Sequence, residues 1–438
     1  MRNLPEDLGT LAASRDDLDS WIVLGCLLLI TLTSSLTKFG LDASGAGSLS
    51  SQIFWGSAYA ISFWRLMILR DRAGRLVKRT WPMVLFLALA LVSYFWSVEP
   101  GTTLRNAIEM IGMTAICYYI VVRFTLREFL ELAVKYFVGV SLVSAVLIFL
   151  WPSHGRSSYG VVGWSGLFSE KNGFGAAMAL SILTYGVAAA IAKGGRRLRM
   201  LLCLLMGTIL LVGSQSLTSL LVLFATGMLV IATVLCSSRR YGKMARLIVI
   251  VVALFGAVGI ALIGPDATSV LGTFGKSEDI SGRADFWPGI TRAIGDRPLL
   301  GFGYNAFFSS VPTQEEYLKP LLGYSWWYPF HAHNSYYQMT LSVGFVGVAI
   351  FACALIQALF MSLVHIVRDH DVAAAWPLAM LGFVLLGSFT ETYFGLPNFI
   401  ASLFFLIGLL YPFRETIAVE RGSVRRTVAR RNVASSAA

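Results

Sequence analysis

Long, uninterrupted apolar runs constrain this chain more than any other feature. The first, "WIVLGCLLLITLTSSLT" (21–37), is followed by others of similar length. A helix of about 20 apolar residues crosses a hydrocarbon core about 30 Å thick. Strict alternation of apolar and polar residues would predict a transmembrane barrel instead. These runs do not alternate, so they predict helices. Composition agrees: 56% of residues are hydrophobic and only 13% charged, where soluble domains carry about a quarter charged.

The expected fold class is therefore an all-α polytopic membrane protein. About twelve spans are predicted, near 21–37, 48–68, 82–98, 104–122, 128–150, 172–192, 199–214, 217–236, 246–264, 335–366, 373–393 and 398–412. Basic residues cluster between them, in "LRDRAGRLVKRT", "KGGRRLR" and "RRYGKMAR" and in the tail. With twelve spans these clusters and both termini share one side, which is cytoplasmic by the positive-inside rule. Residues 1–20 are then a cytoplasmic N-terminus, 21–412 the membrane domain, and 413–438 a basic, lipid-facing cytoplasmic tail. Topology accounts for the net charge of +11. No basic stripe with stacking aromatics suggests nucleic acid. No cleavable signal peptide is expected. Cys26, Cys117, Cys203, Cys236 and Cys353 lie in or beside apolar runs, without metal or redox spacing, and read as apolar core residues.

The outer face carries one large loop, 265–333, between spans nine and ten. Its aromatic "YSWWYPF" argues for a folded segment of short helices. Several cations also fall on this face, where basic residues should be rare. Arg105 opens the fourth span, Lys171 and Asn172 open the sixth, and Arg283 lies in the loop. His331, His333 and Asn334 open the tenth. A lone cation at a helix end often only snorkels to headgroups. Several cations at helix starts make a place for phosphate or pyrophosphate. Asn334 or Ser335 can cap the tenth span and hold His333 at the helix start as a base. A chain bending into helix there should separate His333 from His331. Gly344 and Gly347, three apart, should share a helix face and admit a close neighbour. Trp326, Trp327 and Tyr328 can stack on sugar rings, or form an interfacial belt. No metal is expected: Asp42 stands alone, and the D-x-D of Asp17 and Asp19 lies on the opposite side.

Taken together, "FWSVEP", "GLFSEKNGFG", "GRADFW", "RPLLGFGYNAF" and "HNSYYQMTLSVGFVG" occur in an order and topology that resemble the O-antigen ligase and polymerase superfamily (Wzy-C or WaaL-like proteins). The resemblance runs from about Trp96 to Gly347. It implies a GT-C-like glycosyltransferase with a periplasmic loop at 265–333. The implied donor is a saccharide on undecaprenyl pyrophosphate, and the implied acceptor a sugar hydroxyl. His333 would be the base, with His331 orienting it or binding sugar. Arg105, Lys171 and Arg283 would bind pyrophosphate, with Asn172, Asn334 and the aromatic residues positioning sugar. No cofactor is implied. Partners would be the lipid-linked oligosaccharide, membrane lipid, and a chain-length regulator or flippase of the same pathway. Where the family often has a basic residue after Ser-x-Ser, this chain has Leu217 in "SQSLTS". That leaves Ser214, Ser216 and Thr218 without a clear carry-over. "HAHNSYYQ" and this turn look most like exopolysaccharide polymerases of the succinoglycan type. The alternatives are an O-antigen ligase joining a chain to lipid A–core, and a transporter or flippase for lipid-linked sugars. A transporter is disfavoured because its site usually lies at the midplane between repeats.

Overall fold

The computed structural model describes residues 18–31, 49–157, 163–237, 286–322, 329–369, 371–395 and 400–414. Regular structure among these residues is helical, apart from one isolated bridge between Arg156 and Trp164. The first helices are α1 (Leu18–Thr31), α2 (Leu49–Ile68), α3 (Arg70–Arg79), α4 (Trp81–Val92) and α5 (Pro100–Arg123). There follow α6 (Leu126–Leu150), α7 (Lys171–Ile191), α8 (Gly194–Ser214) and α9 (Leu217–Ser237). The last are α10 (Trp287–Asp296), α11 (Val311–Tyr317), α12 (Ser335–Asp369), α13 (Ala375–Gly387) and α14 (Ile400–Arg414).

Among the described residues, α6, α7, α8 and α12 are long and apolar enough to cross a membrane. The bent pair Arg70–Arg79 and Trp81–Trp96, at 86°, makes a fifth if it counts as one span. Shorter apolar helices include α1 and α14. The expected span near 246–264 lies outside the described residues. The chain is thus a multi-pass helical protein, as its apolar runs predict.

Two compact units divide the chain, one of residues 1–64 and 123–220, the other of 65–122 and 221–438. In the first, α7 packs along α8. A capping box starts α6: Thr125 Oγ1 accepts from Glu128 N at 3.3 Å, and Thr125 N donates to Glu128 Oε2 at 2.7 Å. Arg123 donates to the buried carboxylate of Asp19, so the aspartate weighed as part of a D-x-D serves an ion pair.

In the second unit α12 packs chiefly on α4. The loop before α12 folds as short helices around its own aromatic core of Phe286, Phe302, Phe307, Phe308 and Tyr317. Burial first, then the carboxylates of Asp296 and Glu316, push the Tyr317 phenol up to about 12, so it stays a neutral hydroxyl. The expectation for Gly344 needs correction. It is not part of a smooth helix face: its φ of 63° and ψ of −172° break α12. Residues Pro298 to Phe302 insert at the break. Phe345 N donates to Pro298 O at 2.8 Å, Val346 N to Leu299 O at 3.2 Å, and Phe302 N to Leu341 O at 2.7 Å. The loop thus satisfies backbone groups that the break frees, as a membrane requires. A side chain at Gly344 would place Cβ 2.1 Å from Leu299 O. Gly347 fits the expected close approach better, since a Cβ there would lie 3.3 Å from Leu89 of α4.

Candidate active site

Within the second unit, three loops distant in sequence are tied into one polar cluster. They are Gly301–Asn305, His331–Ser335 and Gly387–Gly395. The ties are side-chain hydrogen bonds. Gln338 of α12 accepts from Ala332 N through Oε1 at 3.0 Å, and its Nε2 donates to Asn305 Oδ1 at 3.0 Å. Asn305 Nδ2 donates to Gly395 O at 2.8 Å. Tyr304 Oη donates to the same carbonyl at 2.8 Å. Burial, and then Glu109, push the Tyr304 phenol up, which keeps it a donor. Ser335 Oγ accepts from Tyr393 N at 2.8 Å and donates to Glu391 O at 3.2 Å. Buried polar groups must be paired, so these bonds fix the three loops together.

The histidines sit inside this frame. Of the two caps that the sequence offers, Asn334 serves: its Oδ1 accepts from Tyr336 N at 2.9 Å and Tyr337 N at 3.1 Å. Its Nδ2 donates to Phe389 O at 3.1 Å. Both ends of the amide serve the fold, so Asn334 positions the loop. His333 lies just before the cap in left-handed backbone, φ 50°. Histidine tolerates that region better than most residues. The turn has a consequence opposite to the expected separation. The rings of His331 and His333 are stacked obliquely, with centroids 4.0 Å apart. His333 N donates to His331 Nδ1 at 3.2 Å, and Thr392 Oγ1 lies 3.4 Å from the same nitrogen. With Nδ1 accepting from a backbone N–H, a neutral His331 carries its proton on Nε2.

A carboxylate that sequence reasoning missed completes the group. Glu391 Oε2 lies 3.5 Å from His333 Nδ1, close but not in hydrogen-bond geometry, and Nδ1 is buried with no hydrogen-bond partner among the described residues. The His333 side chain is 17% exposed and Glu391 is 10% exposed, while His331 as a residue is 7% exposed. His333 is therefore the more accessible histidine, and His331 and Glu391 back it. An imidazole oriented by a carboxylate on one nitrogen can accept a proton on the other. One signal for Glu391 was available: it is an acidic residue inside the expected span 373–393, in "GSFTETYFG", where a carboxylate calls for a reason.

The other expected residues fall elsewhere. Arg105 pairs with Glu109 one turn along α5, Nε to Oε1 at 3.0 Å. The loop before it is bound to the first of the three loops, through Val98 N to Phe302 O at 3.0 Å and Trp96 Nε1 to Leu300 O at 3.0 Å. Arg283, Trp326, Trp327 and Tyr328 lie outside the described residues. Lys171 and Asn172 start α7 in the first unit. There the "SQSLTS" turn has a local explanation. Gln215 takes the left-handed conformation that ends α8, φ 53°. Ser214 Oγ accepts from Ser216 N at 3.2 Å, and Ser216 Oγ donates to Ser219 Oγ at 2.9 Å. Ser214 and Ser216 are thus caps of the turn, and Leu217 begins α9.

Comparison with known proteins agrees with the resemblance that the motifs carry. The family described as O-antigen ligase matches residues 201–352, a segment that includes His331, His333 and the Gly344 break. The exopolysaccharide production protein ExoQ of Rhizobium meliloti is 26% identical over 386 residues, covering 81% of each chain. A protein of Rickettsia typhi provisionally named a polysaccharide ligase is 24% identical over 285 residues, covering 62% of this chain and 65% of its own. The chain is a multi-pass helical protein that resembles the O-antigen ligase and polymerase superfamily, most directly over residues 201–352.

Proposed function

We propose that the protein is an exopolysaccharide polymerase working without a metal. It transfers a saccharide chain from undecaprenyl pyrophosphate to a sugar hydroxyl of another lipid-linked repeat unit, at the periplasmic face of the bacterial inner membrane. The observation that carries this reading is the His333–Glu391 pair, backed by His331, in a chain similar over most of its length to an exopolysaccharide production protein. The acceptor hydroxyl gives its proton to His333 Nε2 as its oxygen bonds to the anomeric carbon of the donor. The bond from that carbon to pyrophosphate breaks, and the lipid pyrophosphate leaves with the electron pair. Glu391 balances the imidazolium that forms. Arg105, Lys171 and Arg283 offset the charge developing on the leaving group. Trp326, Trp327 and Tyr328 stack on sugar rings, and Asn172 helps to position them. In this reading there are twelve spans, both termini are cytoplasmic, and residues 265–333 are periplasmic. A chain-length regulator or flippase of the same pathway would be the protein partner.

A second reading has its own support, since the matching family and the Rickettsia typhi relative are both described as ligases. Lipid-linked saccharides from a deletion strain separate the readings. Accumulated single repeat units mean a polymerase. Long untransferred chains on lipid carrier mean a ligase, and repeat units trapped on the inner face mean a flippase. Orientation is checked with Glu316→Cys, an exposed site in α11. It should react with an impermeant thiol reagent in intact spheroplasts; labelling only after lysis overturns the topology.

A further inference from the structure

The proposal begins at α3, far along the chain from the histidines. Its sequence, "RDRAGRLVKR", carries five cations and one acid. Ala73 and Leu76 are buried, while Arg70, Arg72 and Lys78 are exposed. Thr80, at the end of α3, bonds to the Tyr118 hydroxyl of α5 and donates to Leu76 O at 2.8 Å, so the helix is anchored. The 86° bend sets α3 nearly at right angles to the apolar helix that follows. If that helix lies along the membrane normal, α3 lies in the membrane plane, as basic amphipathic helices at lipid surfaces do.

One side chain makes the inference specific. Arg75 Nε and Nη2 are both buried, and among the described residues neither has a hydrogen-bond partner. These two nitrogens form one edge of the guanidinium, whose parallel N–H groups match two oxygens of a phosphate. A buried, unpaired cationic donor is unfavourable unless a partner arrives. Four further cations on the same ten-residue helix favour an anionic occupant.

We propose that α3 is an interfacial helix that binds anionic phospholipid, with the headgroup phosphate held on the Nε–Nη2 edge of Arg75. This does not depend on the transferase reading. The test uses full-length protein in neutral detergent, with thermal unfolding followed as phosphatidylglycerol, phosphatidylcholine or inorganic phosphate is titrated. Phosphatidylglycerol should stabilise the wild type more than phosphatidylcholine does. Its apparent affinity should fall about fivefold in Arg75→Gln and less in Arg72→Gln. Arg75→Lys keeps the charge but lacks the fork, and covers the case in which Arg75→Gln does not fold. It too should weaken binding. Unchanged affinity in Arg75→Lys or Arg75→Gln overturns the site. Equal stabilisation by inorganic phosphate overturns the lipid as its occupant.

Discussion

Two polar turns, each singled out by the superfamily resemblance, are built by opposite means. The turn from Ser214 to Ser219 closes on itself. Its serines cap adjacent helix ends, and their partners lie within a few residues. The turn from His331 to Ser335 is held from a distance. Its partners are Asn305 by way of Gln338, and Ser388, Phe389, Glu391 and Thr392. A self-contained turn can be explained by its need for caps alone. A turn held by two other loops, with left-handed backbone and an imidazole only partly exposed, is over-determined for folding. Strain and convergent polar groups of this kind gather where a site needs fixed geometry. The contrast supports the chemistry proposed for the histidine turn and an architectural role for the serine turn.

His333→Ala should break the comparison most sharply. Removing a general base typically slows a reaction about 10²- to 10⁴-fold. At matched protein levels, purified variant and wild type would be compared for elongation of lipid-linked oligosaccharide. Wild-type rate and product length would return His333 to a packing role. His331→Ala should lose less, because His331 acts through the backbone and ring of its neighbour.

Gly344→Ala tests the loop that supports the histidine turn. A Cβ there meets Leu299 O in backbone that an L-residue seldom adopts. The expected loss is about 2 kcal/mol or more, read as a lower unfolding temperature. Gly227→Ala, with open space around its Cβ, is the matched control and should not destabilise. Equal effects would mean that the break at Gly344 is not fixed by the Pro298–Phe302 loop.

What the sequence revealed, and what it hid, follows the same division. Apolar runs report helices because burial in lipid is a local property, read residue by residue. His333 and Asn334 stood out because polar residues at the start of a long apolar run need a reason. The cap at Asn334 was legible because its partners are two and three residues away. The pairing of Glu391 with His333 was not, because the two are 58 positions apart and no periodicity links them. The pairing of the two histidine rings was hidden by a single dihedral, the positive φ of His333. Gly344 misled for a related reason. The apolar pattern runs through it without interruption, and only carbonyls brought in from Pro298 and Leu299 allow the helix to break there.

Glu391→Gln sharpens the role of the distant partner. It removes the charge while keeping the shape. A hydrogen bond to a charged group is worth about 1.5–3 kcal/mol, and catalytic contacts tighten when substrate binds, so the rate should fall about 10- to 100-fold. The effect should appear in kcat with little change in KM, since in the proposed mechanism Glu391 acts on His333 rather than on the substrate. A change in KM alone would mean that Glu391 contacts sugar.

The smallest effect belongs to the serine turn, and it tests the other half of the contrast. In Ser216→Ala the hydroxyl beside Ser219 N, at 3.5 Å, and its bond to Ser219 Oγ are lost. Loss of a serine cap costs about 1 kcal/mol, which should lower the unfolding temperature slightly. The remaining folded protein should elongate substrate at the wild-type rate. Ser216→Asp keeps a cap acceptor at the helix start and should recover most of the stability, although the pocket around Gly175 is tight there. If Ser216→Ala instead slows transfer by tenfold or more while the unfolding temperature holds, the hydroxyl belongs to the chemistry. The serine turn would then belong, with Lys171, to the proposed donor site.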